Sequence, residues 1–71
     1  MNHSIPDTAR NSDILNLIDE YVRLERDRRI LTDHWFGGLS FYQLSVKYDL
    51  SLTAVKNIIY KVGDKILLKL N

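Results

Sequence analysis

The segment GLSFYQLSVKYDLSLTAVKNIIYK, residues 38–61, has the pattern of two short helices joined by a tight turn. Ser40 and Ser51 each stand just before a helical pattern. Serine is favoured there because its side-chain oxygen accepts a hydrogen bond from an N–H group of the first helical turn. The segment therefore predicts one helix over residues 41–48 and a second helix that begins at Leu52.

The apolar residues of this segment fit the inward positions of a helix-turn-helix motif. These positions are all apolar or aromatic, at Leu44, Tyr48, Leu50, Val55 and Ile58. Ser45 is small where the two helices cross closely. Asp49 occupies a turn position that often has positive φ and favours glycine, a conformation that aspartate also tolerates. The motif is thus predicted over residues 40–62, with residues 52–62 as its second helix.

Helical spacing also precedes the motif. Ser12 is a candidate cap for a helix that begins at Asp13, because apolar residues recur at helical intervals over residues 14–24. The charged run 25–29 is either an exposed helix face or a link between two helices, and we favour a break within residues 24–27. The first 11 residues lack this periodicity, which predicts a disordered arm, with the folded domain over residues 12–71.

A second apolar set, residues 30–36, continues the helical spacing up to Gly37 and Gly38. We expect this pair to end the helix, because glycine adopts the left-handed capping conformation without a Cβ penalty. Trp35 is expected to be the largest side chain of the core, the alternative being an exposed tryptophan that binds a partner.

Apolar residues recur beyond the motif, at Val55, Ile59, Val62, Ile66 and Leu70. Gly63 interrupts the series but costs a helix only about 1 kcal/mol relative to alanine. Either one helix runs over residues 52–68, or Gly63 ends it and Asp64 caps a short last helix. The tail has more apolar side chains than a three-helix core needs. Some are expected to pack against residues 14–22 and others to form a dimer face.

Length and composition predict one small all-α domain, a bundle of four to five helices. The chain has 71 residues, one proline, three glycines and no cysteine, so it has no disulfides or thiolate metal sites. It has no apolar run near the length of about 18 residues that suits a membrane span, and no signal-peptide pattern at its start. We therefore expect a cytoplasmic protein.

Positive charge is concentrated towards the C-terminus. The whole chain has a net charge of only +1, but residues 51–71 carry four lysines against one aspartate, a net +3. The part of a DNA-binding protein that faces DNA shows this type of asymmetry. A solvated helix face dotted with lysines would give the same charges, and charge alone favours that simpler interpretation.

Residues 24–62 resemble the promoter-binding fourth region of bacterial sigma factors. The shared features are a charged run, an apolar helix that ends in a glycine pair, a G-L-S step, a short helix, and an A-V-K step in the second helix. The resemblance implies that the second helix binds promoter DNA. A chain of this length has no room for the other sigma regions, and Ile58 stands where that family often has a basic residue.

The layout also resembles that of small regulators of fimbrial operons and plasmids. The matching segments are DRRIL at residues 27–31, GGLS at residues 37–40 and KY at residues 47–48. This resemblance implies a stand-alone transcriptional regulator that binds as an oligomer. The size of the chain agrees better with this second group than with sigma factors.

These patterns together predict a sequence-specific transcriptional regulator that binds double-stranded DNA. Its second helix can enter the major groove, because a helix about 12 Å wide fits there. The residues expected to contact DNA are Ser40, Gln43, Ser51, Leu52, Thr53, Lys56, Asn57, Tyr60 and Lys61. Asn57 suits adenine, Thr53 a thymine methyl group or a base edge, and Lys56 guanine or a phosphate. Tyr60, Lys61 and the two polar residues at the start of the first helix are candidates for phosphate contacts. For each residue the alternative is an ordinary solvated helix position.

A monomer presents few cations to the DNA backbone, so we expect a homodimer or higher oligomer with recognition helices about 34 Å apart. The alternative function is a protein-interaction module that binds RNA polymerase or a sigma factor. An enzyme is not expected, because the chain has no cysteine nucleophile, phosphate-binding loop or metal cluster, and two lone histidines do not make a site. No cofactor, metal, membrane or small-molecule ligand is expected.

Overall fold

The computed structural model describes residues 10–70 and confirms the predicted all-α bundle. Its four helices are α1 (Asn11–Tyr21), α2 (Glu25–Trp35), α3 (Phe41–Lys47) and α4 (Leu52–Leu70), and the described residues contain no strand. No helix in this part of the chain has both the length and the apolar character needed to cross a membrane. Residues 1–9 of the predicted N-terminal arm lie outside the described residues.

The first helix begins two residues before its predicted start, so the prediction of Ser12 as its cap is wrong. Arg10 occupies the cap position, and its carbonyl accepts a 3.0 Å hydrogen bond from the N–H of Ile14. The Arg10 side chain makes no capping bond. The start of α1 is therefore held by the burial of Ile14 and Ile18 on its inner face, and a side-chain cap contributes nothing.

The predicted break between the first two helices is confirmed, but it lies at residues 22–24, slightly before the predicted position. The guanidinium of Arg28 donates hydrogen bonds to the carbonyl oxygens of Val22 and Arg23, at 2.8 and 3.3 Å. Arg28 thus satisfies carbonyl groups near the end of α1, where helical pairing stops. The charged run 25–29 is the beginning of α2 and not a link between helices.

The glycine pair after α2 ends that helix, as predicted. Gly38 has a φ of 73°, in the left-handed region that glycine adopts at no steric cost. The N–H of Leu39 donates to the carbonyl of Asp33 at 3.1 Å and closes the turn. The chain then enters α3 through Ser40, whose backbone is extended.

The connection between α3 and α4 follows the predicted chemistry. At the start of α3, the N–H of Gln43 donates to Ser40 Oγ at 3.1 Å, and the N–H of Ser40 donates to Gln43 Oε1 at 2.8 Å. Asp49 has a φ of 54°, the one positive value at a non-glycine position among the described residues. Ser51 caps α4, because its Oγ accepts a 3.0 Å hydrogen bond from the N–H of Ala54. The helix α3 ends one residue before its predicted end.

The last helix is continuous through Gly63, which is buried within it. The alternative in which Asp64 caps a separate last helix is therefore wrong. Burial of an aliphatic side chain contributes about 1.5–3 kcal/mol, whereas glycine costs a helix about 1 kcal/mol. Val62 and Ile66 are both buried on the inner face of this half of α4, so their burial exceeds the cost of Gly63.

Ten aliphatic side chains from the four helices and the first break form the core. They are Ile14, Ile18, Val22, Ile30, Leu31, Leu44, Val55, Ile59, Val62 and Ile66. Helix α4 packs against each of the other three helices. Trp35 is only half-buried, because it is the last residue of α2 and adjoins an exposed glycine turn, so the expectation that it dominates the core is wrong. Leu44 and Val55 are fully buried as predicted, and the other three predicted inward positions are half-buried against the core.

The apolar tail is divided between the core and the surface. Ile66 is fully buried and Leu70 packs against the core, whereas Leu68 is 72% exposed. The tail also meets the first helix, because Lys69 Nζ lies 4.8 Å from the centre of the Tyr21 ring. The expected packing of part of the tail on α1 is therefore present, and Leu68 remains on the surface.

Candidate nucleic-acid interface

The nine residues predicted to contact DNA all lie on the surface. Two are exposed at the start of α3, and seven are exposed on or just before the first half of α4. The first two are Ser40 and Gln43, and the seven are Ser51, Leu52, Thr53, Lys56, Asn57, Tyr60 and Lys61. Seven of the predicted residues thus lie along α4 and the turn that precedes it, and the other two lie at the start of α3.

The buried face of α4 determines which side chains point outward. Val55, Ile59 and Val62 are buried at helical intervals. Because successive residues of an α-helix are rotated by about 100°, Thr53 and Asn57 lie on the side opposite to this buried row. The outer face near the start of α4 therefore presents a hydroxyl and an amide, with the Lys56 ammonium beside them.

On one side, the outer face of α4 is joined to the start of α3 by aromatic rings. The Tyr60 ring meets the Phe41 ring edge to face, with centres 6.0 Å apart. Phe41 in turn lies 4.9 Å from the His34 ring, and His34 Nδ1 donates a 2.8 Å hydrogen bond to the carbonyl of Leu39. These contacts hold the beginning of α3 at a fixed position next to the outer face of α4.

The capping bonds decide what the serines and Gln43 can still offer to a ligand. Ser40 Oγ, Gln43 Oε1 and Ser51 Oγ each accept a bond from a backbone N–H group. Their remaining capacity includes the hydroxyl and amide hydrogens, which are donors. Donors suit the oxygen atoms of a phosphate group, so capping and phosphate contact are compatible at these positions.

Lys47 is the one lysine ahead of α4, and its charge is used within the fold. Its Nζ lies 2.8 Å from Asp33 Oδ2, and the hydroxyl of Tyr48 donates to the same oxygen. The hydrogen bonds from Lys47 and Tyr48 lower the pKa of Asp33 below its ordinary value, and the bond to Asp33 raises the pKa of Lys47. This cluster joins α2 to the end of α3 and leaves the lysines of α4 to supply the outer face.

A groove of about 440 Å³ borders the outer face of α4 on the side away from α3. Asn57 and Lys61 line it together with Arg23, Arg26 and Lys65. Sequence reasoning did not connect the last three residues with the interface, because two of them lie more than 30 positions before Asn57. The charged run that contains Arg26 was the only local signal, and it equally suits an ordinary solvated helix face.

Among the described residues, no group of three or more histidine, cysteine, aspartate or glutamate side chains is placed to hold a metal ion. No protein-family model, curated protein or solved structure matches this chain.

Proposed function

We propose that this protein is a sequence-specific transcriptional regulator that binds double-stranded DNA through a helix-turn-helix formed by α3 and α4. The observation that carries the proposal is the exposure of Thr53, Lys56 and Asn57 on the outer face of α4. A tight turn separates this end of α4 from α3, so the first half of the helix is open on its outer side. Residues 52–62 would then lie in the major groove.

The side chains on this face have the chemistry needed to read base edges. The amide of Asn57 pairs with adenine through one donor and one acceptor, and the methyl group of Thr53 suits thymine. Lys56 suits guanine or a nearby phosphate. Ser40, Gln43, Ser51, Tyr60 and Lys61 surround these three residues and would donate hydrogen bonds or offer positive charge to phosphates, which set the orientation on the duplex.

We further propose that the protein acts as a homodimer or higher oligomer. The outer face of α4 itself carries two lysines, Lys56 and Lys61, and a single copy that contacted phosphates through these alone would bind weakly. A two-fold dimer doubles the contacts and places its two recognition helices about 34 Å apart, one turn of DNA. The exposed Leu68 in the C-terminal tail supports a self-association face at that end.

A second candidate function is binding to RNA polymerase or a sigma factor. It is favoured by Tyr42 and Val46, which are 70% and 65% exposed and lie one turn apart on α3. Adjacent exposed apolar side chains are typical of protein-binding surfaces. The two functions differ in their response to salt, because binding through phosphates weakens steeply as salt rises.

Selection from a random duplex library with the full chain tests the main proposal. We expect enrichment of a motif, and Asn57→Ala should lower discrimination at one base position by about tenfold, since a bidentate base contact contributes about 1–3 kcal/mol. Asn16→Ala is the matched control, because Asn16 is exposed on α1 outside the interface. No enriched motif, together with equal affinity for every duplex, would contradict the proposal and favour a protein partner.

A further inference from the structure

The groove beside α4 is rich in positive charge, and we name it the basic groove. Arg23, Arg26, Lys61 and Lys65 line it, and Asp27 is the one acidic residue among the described residues around it. Asp27 is already engaged, because its Oδ1 lies 3.2 Å from the guanidinium of Arg26. The basic groove therefore offers three cationic side chains beyond this ion pair.

The basic groove is continuous with the proposed base-reading face. Asn57 lines it, and Lys61 and Lys65 follow at intervals of one and two helical turns. These lysines lie about 6 and 12 Å beyond Asn57 along the helix axis. The major groove is about 12 Å wide and is bordered by phosphates, so a helix that reads bases at Asn57 brings both lysines to its edge.

The opposite wall of the basic groove comes from the break between α1 and α2. Arg23 and Leu24 belong to this break, and the hydrogen bonds of Arg28 to the carbonyls of Val22 and Arg23 hold its backbone. The lining also includes Ile58 and Val62, which are apolar. A lining with both apolar and cationic side chains suits a sugar–phosphate strand, whose deoxyribose presents carbon and whose phosphates carry negative charge.

We propose that the basic groove holds the DNA strand that borders the major groove on the α1–α2 side, with Arg23, Lys61 and Lys65 in contact with its phosphates. This inference rests on the proposed function and adds a second line of backbone contact to it. The start of α3 would meet the other strand through Ser40 and Gln43. The recognition helix would then be supported from both edges of the major groove.

The effect of salt on affinity tests this assignment. Arg23→Ala and Lys65→Ala should weaken binding to the selected duplex and to an unrelated duplex by the same factor. Each should also reduce the slope of log affinity against log salt by about 0.9, the value for one phosphate contact. Arg29→Ala is the control, because Arg29 pairs with Glu25 at 3.2 Å and does not line the basic groove.

The outcomes separate this inference from the proposed function. If Asn57→Ala alters base preference while Arg23→Ala and Lys65→Ala leave the salt slope unchanged, the basic groove assignment is wrong and the function stands. If the unmodified chain binds no duplex, both fail. Saturable binding of poly-glutamate that requires Arg23 and Lys65, in a protein that ignores duplex DNA, would instead assign the basic groove to acidic polypeptides and overturn the inference.

Discussion

The hydroxyl group of Tyr48 donates a 2.5 Å hydrogen bond to Oδ2 of Asp33, and the same oxygen accepts a bond from the ammonium of Lys47. Asp33 belongs to α2, whereas Lys47 and Tyr48 lie at the end of α3. A single carboxylate thus connects α2 to the end of α3, the helix that precedes α4.

Acid should weaken the fold through Asp33. The hydrogen bonds from Lys47 and Tyr48 lower the pKa of Asp33 below 3.8, so its stabilising contribution is complete above that pH and is lost as the pH falls through the lowered pKa. We expect Asp33→Asn to lower the free energy of unfolding by about 1 kcal/mol at pH 7. Between pH 4 and pH 2 the stability of this variant should fall less than that of the unmodified protein. Urea unfolding across this range measures the difference. Parallel pH profiles for the two proteins would contradict the assignment.

Alkali should act on the same cluster through Tyr48. Burial, and then the hydrogen bond to Asp33, raises the pKa of Tyr48 above 10.0, which means that the folded state favours the neutral phenol. Stability is therefore complete below pH 10 and falls as the pH rises towards the raised pKa. Tyr48→Phe should be less stable than the unmodified protein at pH 7, but its stability should fall less as the pH rises. Thermal unfolding between pH 8 and pH 11 measures this difference. The same alkaline loss in Tyr48→Phe would assign that loss to other groups.

Gly38 should tolerate asparagine better than alanine. Its φ of 73° lies in the left-handed region, and a Cβ placed there meets no atom within 4 Å. The cost of Gly38→Ala is therefore conformational and should be about 1–2 kcal/mol. Gly38→Asn should cost clearly less, because asparagine visits this region more readily. Chemical denaturation of both variants decides the matter, and equal losses would contradict this explanation.

Substitutions at two nearby residues of the tail, Ile66 and Leu68, should distinguish an effect on folding from an effect on self-association. Ile66→Ala should cost about 2–5 kcal/mol, because Ile66 is fully buried. Leu68→Glu should leave the secondary structure intact and shift the protein towards the monomer in sedimentation experiments. Leu15→Glu is the control, since Leu15 is also an exposed leucine but lies on α1. An unmodified protein that sediments as a monomer, with and without DNA, would rule out the dimer.

Ser51 should contribute to stability mainly through its cap. Its Oγ accepts the N–H of Ala54, and loss of such a cap usually costs about 1 kcal/mol. Ser51→Asp should retain the bond and also favour the helix dipole, but its negative charge should repel DNA. We therefore expect Ser51→Asp to fold as well as the unmodified chain while binding duplex less tightly. Equal affinity for DNA would place Ser51 away from the backbone.

Signals that act over a few residues were sufficient to predict the turn region. Ser40 and Ser51 cap their helices, and Asp49 adopts the positive φ expected at its position, because each of these features depends on adjacent backbone atoms. The outward direction of Thr53 and Asn57 was predictable for a similar reason. Once Val55 and Ile59 face the core, the geometry of the helix leaves the other side exposed.

Features that depend on tertiary contacts were not predictable in the same way. Ser12 is a good local cap, yet α1 begins before it because burial of Ile14 and Ile18 outweighs a single hydrogen bond. Gly63 left two alternatives open, because the helix continues through it only if the burial of nearby side chains exceeds the small cost of glycine. That burial depends on tertiary packing. Arg23 and Lys65 are 42 positions apart in the sequence and meet at one groove only because of the break after α1.

Because α4 is continuous, one helix carries both the core residues around Gly63 and the exposed residues at its start. Its 19 residues form one rod about 28 Å long. Lys69 near its C-terminal end lies over the Tyr21 ring of α1, whereas Thr53 and Asn57 near its start are exposed. A tilt of about 5° at Gly63 displaces Thr53 by about 1 Å, because ten residues span about 15 Å of helix. If α4 binds a duplex as proposed, substitutions in the interior around Gly63 would therefore shift Thr53 relative to the bases, and base preference would depend on how the whole helix is packed.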